Sequence, residues 1–377
     1  MSQQLQISNN SANPPLPAFS KNNVPIIFCS NNNYAAYLAV CLKSLIANSS
    51  SQNNYDIWIL EDNISDKNKQ KISAMQTSNI SIRFLNINFL LSNLDQYNFA
   101  IHGHFTIANY FRLFIPRIFY KYTKVLYLDC DIVIQNDIAK LYHIDLGTNY
   151  IAAVKDTGIQ SHLYKSQLDK SSYPDYFTQT LEMQNPQDYF NSGIMIMDIQ
   201  KLAAFDMEIK CFKALQRITP LYVDQCILNN VLQGHVKFLE TAWNTQWHLP
   251  IFDTDFQKHL ADDIAADYLS AYTKPHILHY TSNIKPWNSP QQPMADLWWN
   301  YARQTPFYEE IIYKNTYTNI PSKELMRDIF YYRQNRLKYF KYRLLVNFTF
   351  GKTRTRYKRK KKELKAKLKS VNQFLKG

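Results

Sequence analysis

Short, mostly apolar runs alternate with stretches of helical period along the first two hundred residues, and this alternation restricts the fold more than any other feature. Val24-Pro25-Ile26-Ile27-Phe28, Tyr55-Asp56-Ile57-Trp58-Ile59-Leu60, Ile80-Ser81-Ile82-Arg83-Phe84, Val125-Leu126-Tyr127-Leu128, Ile151-Ala152-Ala153-Val154 and Ile194-Met195-Ile196-Met197 read as strands. They lack a clean in/out polar alternation, which predicts strands covered on both faces. Between them, residues 34–46 carry Tyr37, Leu38, Val40, Cys41 and Leu45 at helical spacing, and a second helix is expected after Ser65 as its N-cap. Residues 105–119 read as a helix with Tyr110, Phe114 and Ile118 on one face. The pattern predicts an α/β fold, a mostly parallel central sheet with helices on both faces. Residues 157–188 are polar, rich in Tyr and Gln and without a period, and read as a long binding loop or lid.

With 377 residues, 46% of them apolar, the chain can bury the core of one large α/β domain and still carry extensions. The formal charge of +13 belongs to one end. From Ser322 onward there are 19 Lys and Arg against 3 Asp and Glu, leaving 24 basic and 27 acidic residues elsewhere. A nucleic-acid enzyme would spread its basic charge over the working face, so no nucleic acid is expected as partner. Within the tail, Met326, Ile329, Phe330, Leu337, Phe340 and Leu344 recur at helical spacing among Arg and Lys, ahead of a Lys/Arg-dominated run over residues 352–369. That combination reads as an anchor on an anionic membrane surface, with a solvated basic helix or an RNA-binding tail as the alternative. Residues 1–23 are polar, with no secretory signal, and are expected to be disordered. No apolar run is long enough to span a bilayer. The five scattered cysteines form no C-x-x-C pair, so reduced thiols in the cytoplasm are expected. The expected division is 1–23 extension, 24–320 catalytic domain, 321–377 basic amphipathic tail.

Chemistry enters at Asp129-Cys130-Asp131, directly behind the apolar run 125–128. Open α/β sheets put their ligand sites at the carboxyl edges of strands. Two carboxylates so close repel each other unless a cation lies between them, which makes a divalent metal the natural occupant. An acidic turn at a strand end remains an equal reading, because D-x-D is short and common. Four further segments accompany the pair. Cys29-Ser30-Asn31-Asn32-Asn33-Tyr34 follows the opening strand and suits a nucleoside, or a plain Asn-rich turn. Arg112 stands alone in an apolar stretch, where a snorkelling surface group is the default reading. Asp224 and Gln225 begin an apolar helix, an ordinary place for an acid. His279 follows the strand-like Ile277-Leu278, six residues ahead of Lys285, and is a candidate metal ligand or a structural histidine.

In order and spacing these segments resemble a family 8 retaining glycosyltransferase with a GT-A fold, close to bacterial lipopolysaccharide galactosyl- and glucosyltransferases. The matching stretches are 26–40, 108–113, 124–134, 189–196, 224–229 and 279–287, with Lys-Val-Leu-Tyr-Leu-Asp-x-Asp and a distant His-Tyr-x5-Lys-Pro-Trp the most specific. The resemblance implies a Mn²⁺ site of Asp129, Asp131 and His279, with Mg²⁺ a possible substitute, and UDP-galactose or UDP-glucose as donor. It implies that Lys285 and the backbone near Ser282 meet the diphosphate, and that Cys29, Asn31, Asn33, Tyr34 and the backbone near Cys130 hold uridine. Arg112, Asp129, Asn191 and Asp224 would contact the donor hydroxyls, with Gln225 nearest the anomeric carbon and His104 at an acceptor contact.

Three positions depart from the pattern: Asn31 and Cys226 stand where relatives often carry an acid, and Ser282 where glycine is common. Gln225 is an amide and a poor nucleophile, which favours front-face transfer over double displacement. The expected function is hexose transfer to a lipid-linked oligosaccharide of the lipopolysaccharide core, at the cytoplasmic face of a bacterial inner membrane. Transfer to a protein or polyol, or a non-catalytic UDP-sugar-binding protein, are the alternatives.

Overall fold

The computed structural model describes residues 14–91, 107–169, 172–247, 262–318 and 323–374. The chain divides into two compact units, one ending at Ile311 and one beginning at Ile312.

The first unit is built on a seven-stranded sheet in the order β3-β2-β1-β4-β7-β6-β8. Its strands are β1 (Asn23–Asn31), β2 (Asn54–Asp62), β3 (Ile80–Asn86), β4 (Lys124–Leu128), β6 (Ile151–Lys155), β7 (Phe190–Asp198) and β8 (Val236–Phe238). Among them only β7 runs antiparallel to its neighbours, β4 and β6. Alternate residues of the central strands feed different cores, which explains the missing polar alternation. Ile26 and Phe28 of β1 and Leu126 and Leu128 of β4 join one cluster, under the helix Ala35–Ala47. Ile27, Val125 and Tyr127 join the other, under the helices Met207–Arg217 and Val223–Leu232. Each fully buried Leu, Ile or Phe contributes roughly 1.5–3 kcal/mol of transfer free energy, so both faces hold the sheet in place. The short helix Asp66–Ser73 begins at Ser65, whose hydroxyl accepts the Asn68 N–H as expected of an N-cap.

Strand order reverses between β1 and β4, which emerge side by side with Phe28 opposite Leu128. A crevice opens at the carboxyl ends of such strands. A second, three-stranded sheet closes its far side: β5 (Ile132–Ile134), β9 (Thr245–Gln246) and β10 (Ile277–His279), in the order β5-β10-β9. Asp129-Cys130-Asp131 is the link between the two sheets, pinned by Asp129 N–H on the Gly193 carbonyl at 2.8 Å and by Tyr280 N–H on the Asp131 carbonyl at 3.0 Å.

Two local expectations are corrected. The described part of 105–119 is a 3₁₀ helix, Ile107–Phe114, followed by one α turn, Ile115–Ile118. Pro116 cannot donate to the carbonyl four residues back, so one continuous α-helix is blocked. The expected loop 157–188 opens instead as a helix, Thr157–Asp169, followed by the short turns Tyr173–Asp175, Tyr176–Thr180 and Pro186–Asp188. The inward face of that helix mixes Ile159 and Leu163 with buried Gln160, Ser161 and Ser166, which erases the apolar period.

The second unit contains the helices Lys323–Phe348 and Gly351–Phe374. They are joined through Gly351, whose φ of +59° suits glycine at the turn. Tyr342 and Tyr357 meet across the pair at 5.6 Å between ring centroids, with the Lys360 ammonium 5.5 Å from the Tyr342 ring. Phe348 and Phe350 are 77% and 82% exposed. No helix among the described residues is long and apolar enough to cross a membrane.

Candidate active site

A cleft of about 540 Å³ lies where β1 and β4 end. It is lined by Cys29, Asn31 and Tyr34 from β1 and its turn, Arg112 from the 3₁₀ helix, and Asp129, Cys130 and Asp131 from the link. Asn191 comes from β7, Asp224 and Gln225 from the first turn of Val223–Leu232, and His279, Ser282 and Lys285 from β10 and beyond. Thus six separate segments converge on one cavity. Asn33 is exposed and outside the lining. His104 lies outside the described residues.

One ligand atom each from Asp129, Asp131 and His279 lies within 4.8 Å of the others. The His279 Nε2 atom is 3.3 Å from Asp131 Oδ1 and 3.9 Å from Asp129 Oδ2. Two carboxylates and an imidazole make a mixed oxygen and nitrogen set that suits a divalent cation such as Mn²⁺. The backbone is shaped around this set: a Cβ on Gly193 would sit 2.3 Å from His279 Cε1 and 2.7 Å from Asp129 Oδ2, so only glycine fits. These observations fit the residues to a metal. The Lys285 ammonium donates to Asp131 Oδ2 at 2.6 Å and to the Tyr280 carbonyl at 2.5 Å. Burial pushes the Asp131 carboxyl up, but Lys285 and then His279 outweigh it and hold the group well below the usual carboxylate range. The Trp287 indole, stacked on Tyr37 at 4.0 Å, fixes the segment that delivers His279 and Lys285.

Arg112 is buried, contrary to its surface reading, because its guanidinium is shared. It donates to Asp129 Oδ1 at 3.0 Å, to Asp224 Oδ2 at 2.9 Å and to the Ser192 carbonyl at 2.7 Å, over the face of Tyr127 at 4.3 Å. With two carboxylate partners, Arg112 has its pKa raised despite burial. Among the described residues Asp224 has one cation, Arg112, to offset its own burial, and its carboxyl is pushed up to about 6. Gln225 is held at both ends: its Oε1 accepts the Ser192 N–H at 3.0 Å and its Nε2 donates to Asp156 Oδ2 at 3.1 Å.

At the β1 end, Asn31 Oδ1 accepts the Asn33 and Tyr34 N–H groups at 3.0 and 3.2 Å and so shapes the turn into the first helix. Burial pushes the Cys29 thiol up to about 12 and the Cys130 thiol well above its ordinary value, so neither is a thiolate ligand. All five cysteines are free. Cys226 faces the core, not the cleft, with its sulfur 3.2 Å from the Tyr189 hydroxyl. An acid at that position would therefore be buried away from the cavity. Sequence reasoning passed over Gly193, Ser192, Asp156 and Asn244. Gly193 had a signal, since glycine inside a strand marks close approach by another group. The others gain their meaning only from the fold.

The sequence matches glycosyl transferase family 8 over residues 25–291. It is 25% identical over 289 residues to General stress protein A of Bacillus subtilis, a match spanning 74% of this chain and 93% of that protein. It is 28% identical over 261 residues to the lipopolysaccharide 1,2-glucosyltransferase of Escherichia coli, covering 68% of this chain and 70% of that enzyme. Among solved structures, the bifunctional glycosyltransferase WbbM superposes with a TM-score of 0.71 at 29% identity, over 80% of this chain and 53% of WbbM.

Proposed function

The chain belongs to glycosyltransferase family 8 and has its GT-A fold, and from that premise we propose that it is a retaining hexosyltransferase. It moves galactose or glucose from a UDP-sugar to a lipid-linked lipopolysaccharide core oligosaccharide. The observation that carries this reading is the convergence of Asp129, Asp131 and His279 with Arg112, Asn191, Asp224, Gln225 and Lys285 on one cleft.

In this reading Asp129, Asp131 and His279 hold Mn²⁺, with Mg²⁺ as a poorer substitute. When bound, the metal supplies positive charge against the diphosphate and the developing charge of the leaving UDP. Lys285 adds a second cation beside the same carboxylates, and the backbone near Ser282 faces the phosphates. Cys29, Asn31, Tyr34 and the backbone of Cys130 line the uridine end. Asn31 Oδ1 already accepts two backbone N–H groups, which leaves its NH₂ as the free polar end for the base. Arg112, Asp129, Asn191 and Asp224 orient the hexose hydroxyls, and Asp129 thereby serves both metal and sugar.

Front-face transfer fits the disposition of the acids. Double displacement needs a carboxylate free to attack. Asp224 is committed to Arg112 and accepts from the Ser192 hydroxyl at 3.3 Å, while Gln225 is an amide tethered at both ends. Gln225 then acts electrostatically, and the acceptor proton leaves on a donor phosphate oxygen. Trapping a glycosyl adduct on Asp224 of the wild-type enzyme would overturn this. The test of the function is a UDP-sugar panel with Mn²⁺, scored for hydrolysis and for transfer to truncated lipopolysaccharide cores. Turnover of UDP-galactose or UDP-glucose is expected, with transfer conserving anomeric configuration. No turnover of any UDP-hexose would defeat the proposal.

A further inference from the structure

We propose that Asn244 is a positioning residue that fixes the ring tautomer of His279 and ties it, through Asn191 and Asp156, to the amide of Gln225. The inference rests on the metal assignment above. Asn244 is fully buried at the end of the 3₁₀ turn Thr241–Asn244, directly before β9. Its Oδ1 lies 2.9 Å from His279 Nδ1, and its Nδ2 donates to Asn191 Oδ1 at 2.9 Å. Asn191 Nδ2 donates to Asp156 Oδ2 at 3.1 Å, the same oxygen that receives Gln225 Nε2 at 3.1 Å.

Amide and imidazole orientations are ordinarily ambiguous, because either end can be exchanged. Here backbone donors remove the ambiguity. The Gly193 N–H donates to Asn191 at 3.0 Å, so the Asn191 oxygen must be at that end and its NH₂ must face Asp156. That oxygen then requires a donor from Asn244, so the Asn244 NH₂ faces Asn191 and its oxygen faces His279. An oxygen acceptor there leaves one arrangement for the ring: the proton on Nδ1, and Nε2 directed at Asp129 and Asp131. At the far end the Ser192 N–H orients Gln225 in the same way. A chain of three buried side chains, Asn244, Asn191 and Asp156, anchored by two consecutive backbone N–H groups of β7, thus joins a metal ligand to the amide at the reacting centre. Asp156, which directly follows β6, is its branch point and receives both amides.

The two functions of Asn244 separate by substitution. In the full-length protein, Mn²⁺ alone is titrated and free Mn²⁺ is read by electron paramagnetic resonance, with thermal melts reporting folding. Asn244→Ala removes the acceptor for Nδ1–H and is expected to weaken Mn²⁺ binding about 10- to 100-fold, as loss of a hydrogen-bond partner of a ligating histidine does. Asn244→Asp keeps an acceptor for His279 but sets an oxygen against Asn191 Oδ1. It is expected to bind Mn²⁺ within about threefold of wild type, while kcat for UDP-sugar hydrolysis at saturating Mn²⁺ falls at least about tenfold. Wild-type affinity in Asn244→Ala overturns the tautomer role. Unchanged kcat in Asn244→Asp overturns the link to Gln225. If Asn244→Ala does not fold, a tenfold loss of affinity in Asn244→Asp overturns the tautomer role instead. A wild-type protein that binds no Mn²⁺ defeats the metal assignment, a separate outcome.

Discussion

Arg112 lets carboxylates from distant segments share one cleft, because a single planar guanidinium can serve Asp129 and Asp224 at once. Removing it leaves Asp224 buried with no cation. Arg112→Met is therefore expected to cost about 3–5 kcal/mol of stability, read as a lowered denaturation midpoint, beyond any loss of activity. Asp224 carries its own pH signature. Burial, opposed by Arg112, raises its carboxyl to about 6. Ionised above that value, it keeps the ion pair; protonated below it, the pairing charge is lost. In the proposed reaction kcat/KM should fall on the acid side of pH 6 by about tenfold per unit, and the inflection should vanish in Asp224→Asn. An acid limb that persists in Asp224→Asn assigns it to another group. Gly193→Ala tests the shape of the metal set: with its Cβ inside contact distance of His279 and Asp129, the variant should lose Mn²⁺ binding measured directly. From its local pattern Arg112 was visible as no more than a cation in an apolar stretch, and only the family resemblance gave it a place in the site. Its burial follows from partners on two other elements, which no local pattern records.

At the scale of elements, β7 holds the arrangement together. It alone runs antiparallel within the large sheet, so its beginning, Asn191-Ser192-Gly193, reaches the cleft at the carboxyl end of β4. Its later residues alternate between cores, Ile194 and Ile196 into one and Met195 and Met197 into the other. Ile196→Ala should cost about 2–5 kcal/mol through transfer and cavity terms, seen in thermal or denaturant unfolding. Because Ile196 is packed in the core, the folded fraction should keep wild-type Mn²⁺ affinity; a loss in proportion to stability would mean that β7 does not hold the site rigidly. Six of the seven strands of the large sheet were legible in the sequence because a short apolar run is a local property, whereas β8, three residues with a lysine at its centre, carries no such run. The orientation of β7 was not legible, since it depends on which edge the returning chain meets. The helix Thr157–Asp169 was hidden for another reason: its buried polar residues bond inside the fold, as when Gln160 Nε2 donates to the Gln187 carbonyl.

Across the whole molecule, charge and chemistry are allotted to different parts. The residues before Ser322 carry a slight acidic excess, so in the proposed reaction the donor phosphates would be met by local cations and a metal. The basic excess lies in the terminal helices, where Lys358, Arg359, Lys360, Lys361 and Lys362 follow one another and Leu337, Leu344, Phe348 and Phe350 are exposed. We propose that these helices hold the enzyme on an anionic membrane surface, beside a lipid-linked acceptor. The full-length protein should co-sediment with vesicles containing phosphatidylglycerol and much less with pure phosphatidylcholine. Added salt should weaken the binding, since the Debye length shrinks to about 3 Å at 1 M. Each neutralised basic residue near the surface should cost about 1 kcal/mol, or about fivefold in binding. Replacing Lys360, Lys361 and Lys362 with Gln should thus release most of the protein while UDP-sugar hydrolysis in solution stays unchanged. Phe348→Ser with Phe350→Ser separates the apolar share, because its loss should persist at high salt. Equal binding to both kinds of vesicle, or no effect of the lysine replacements, would remove the membrane from the proposed reaction and leave a water-borne acceptor.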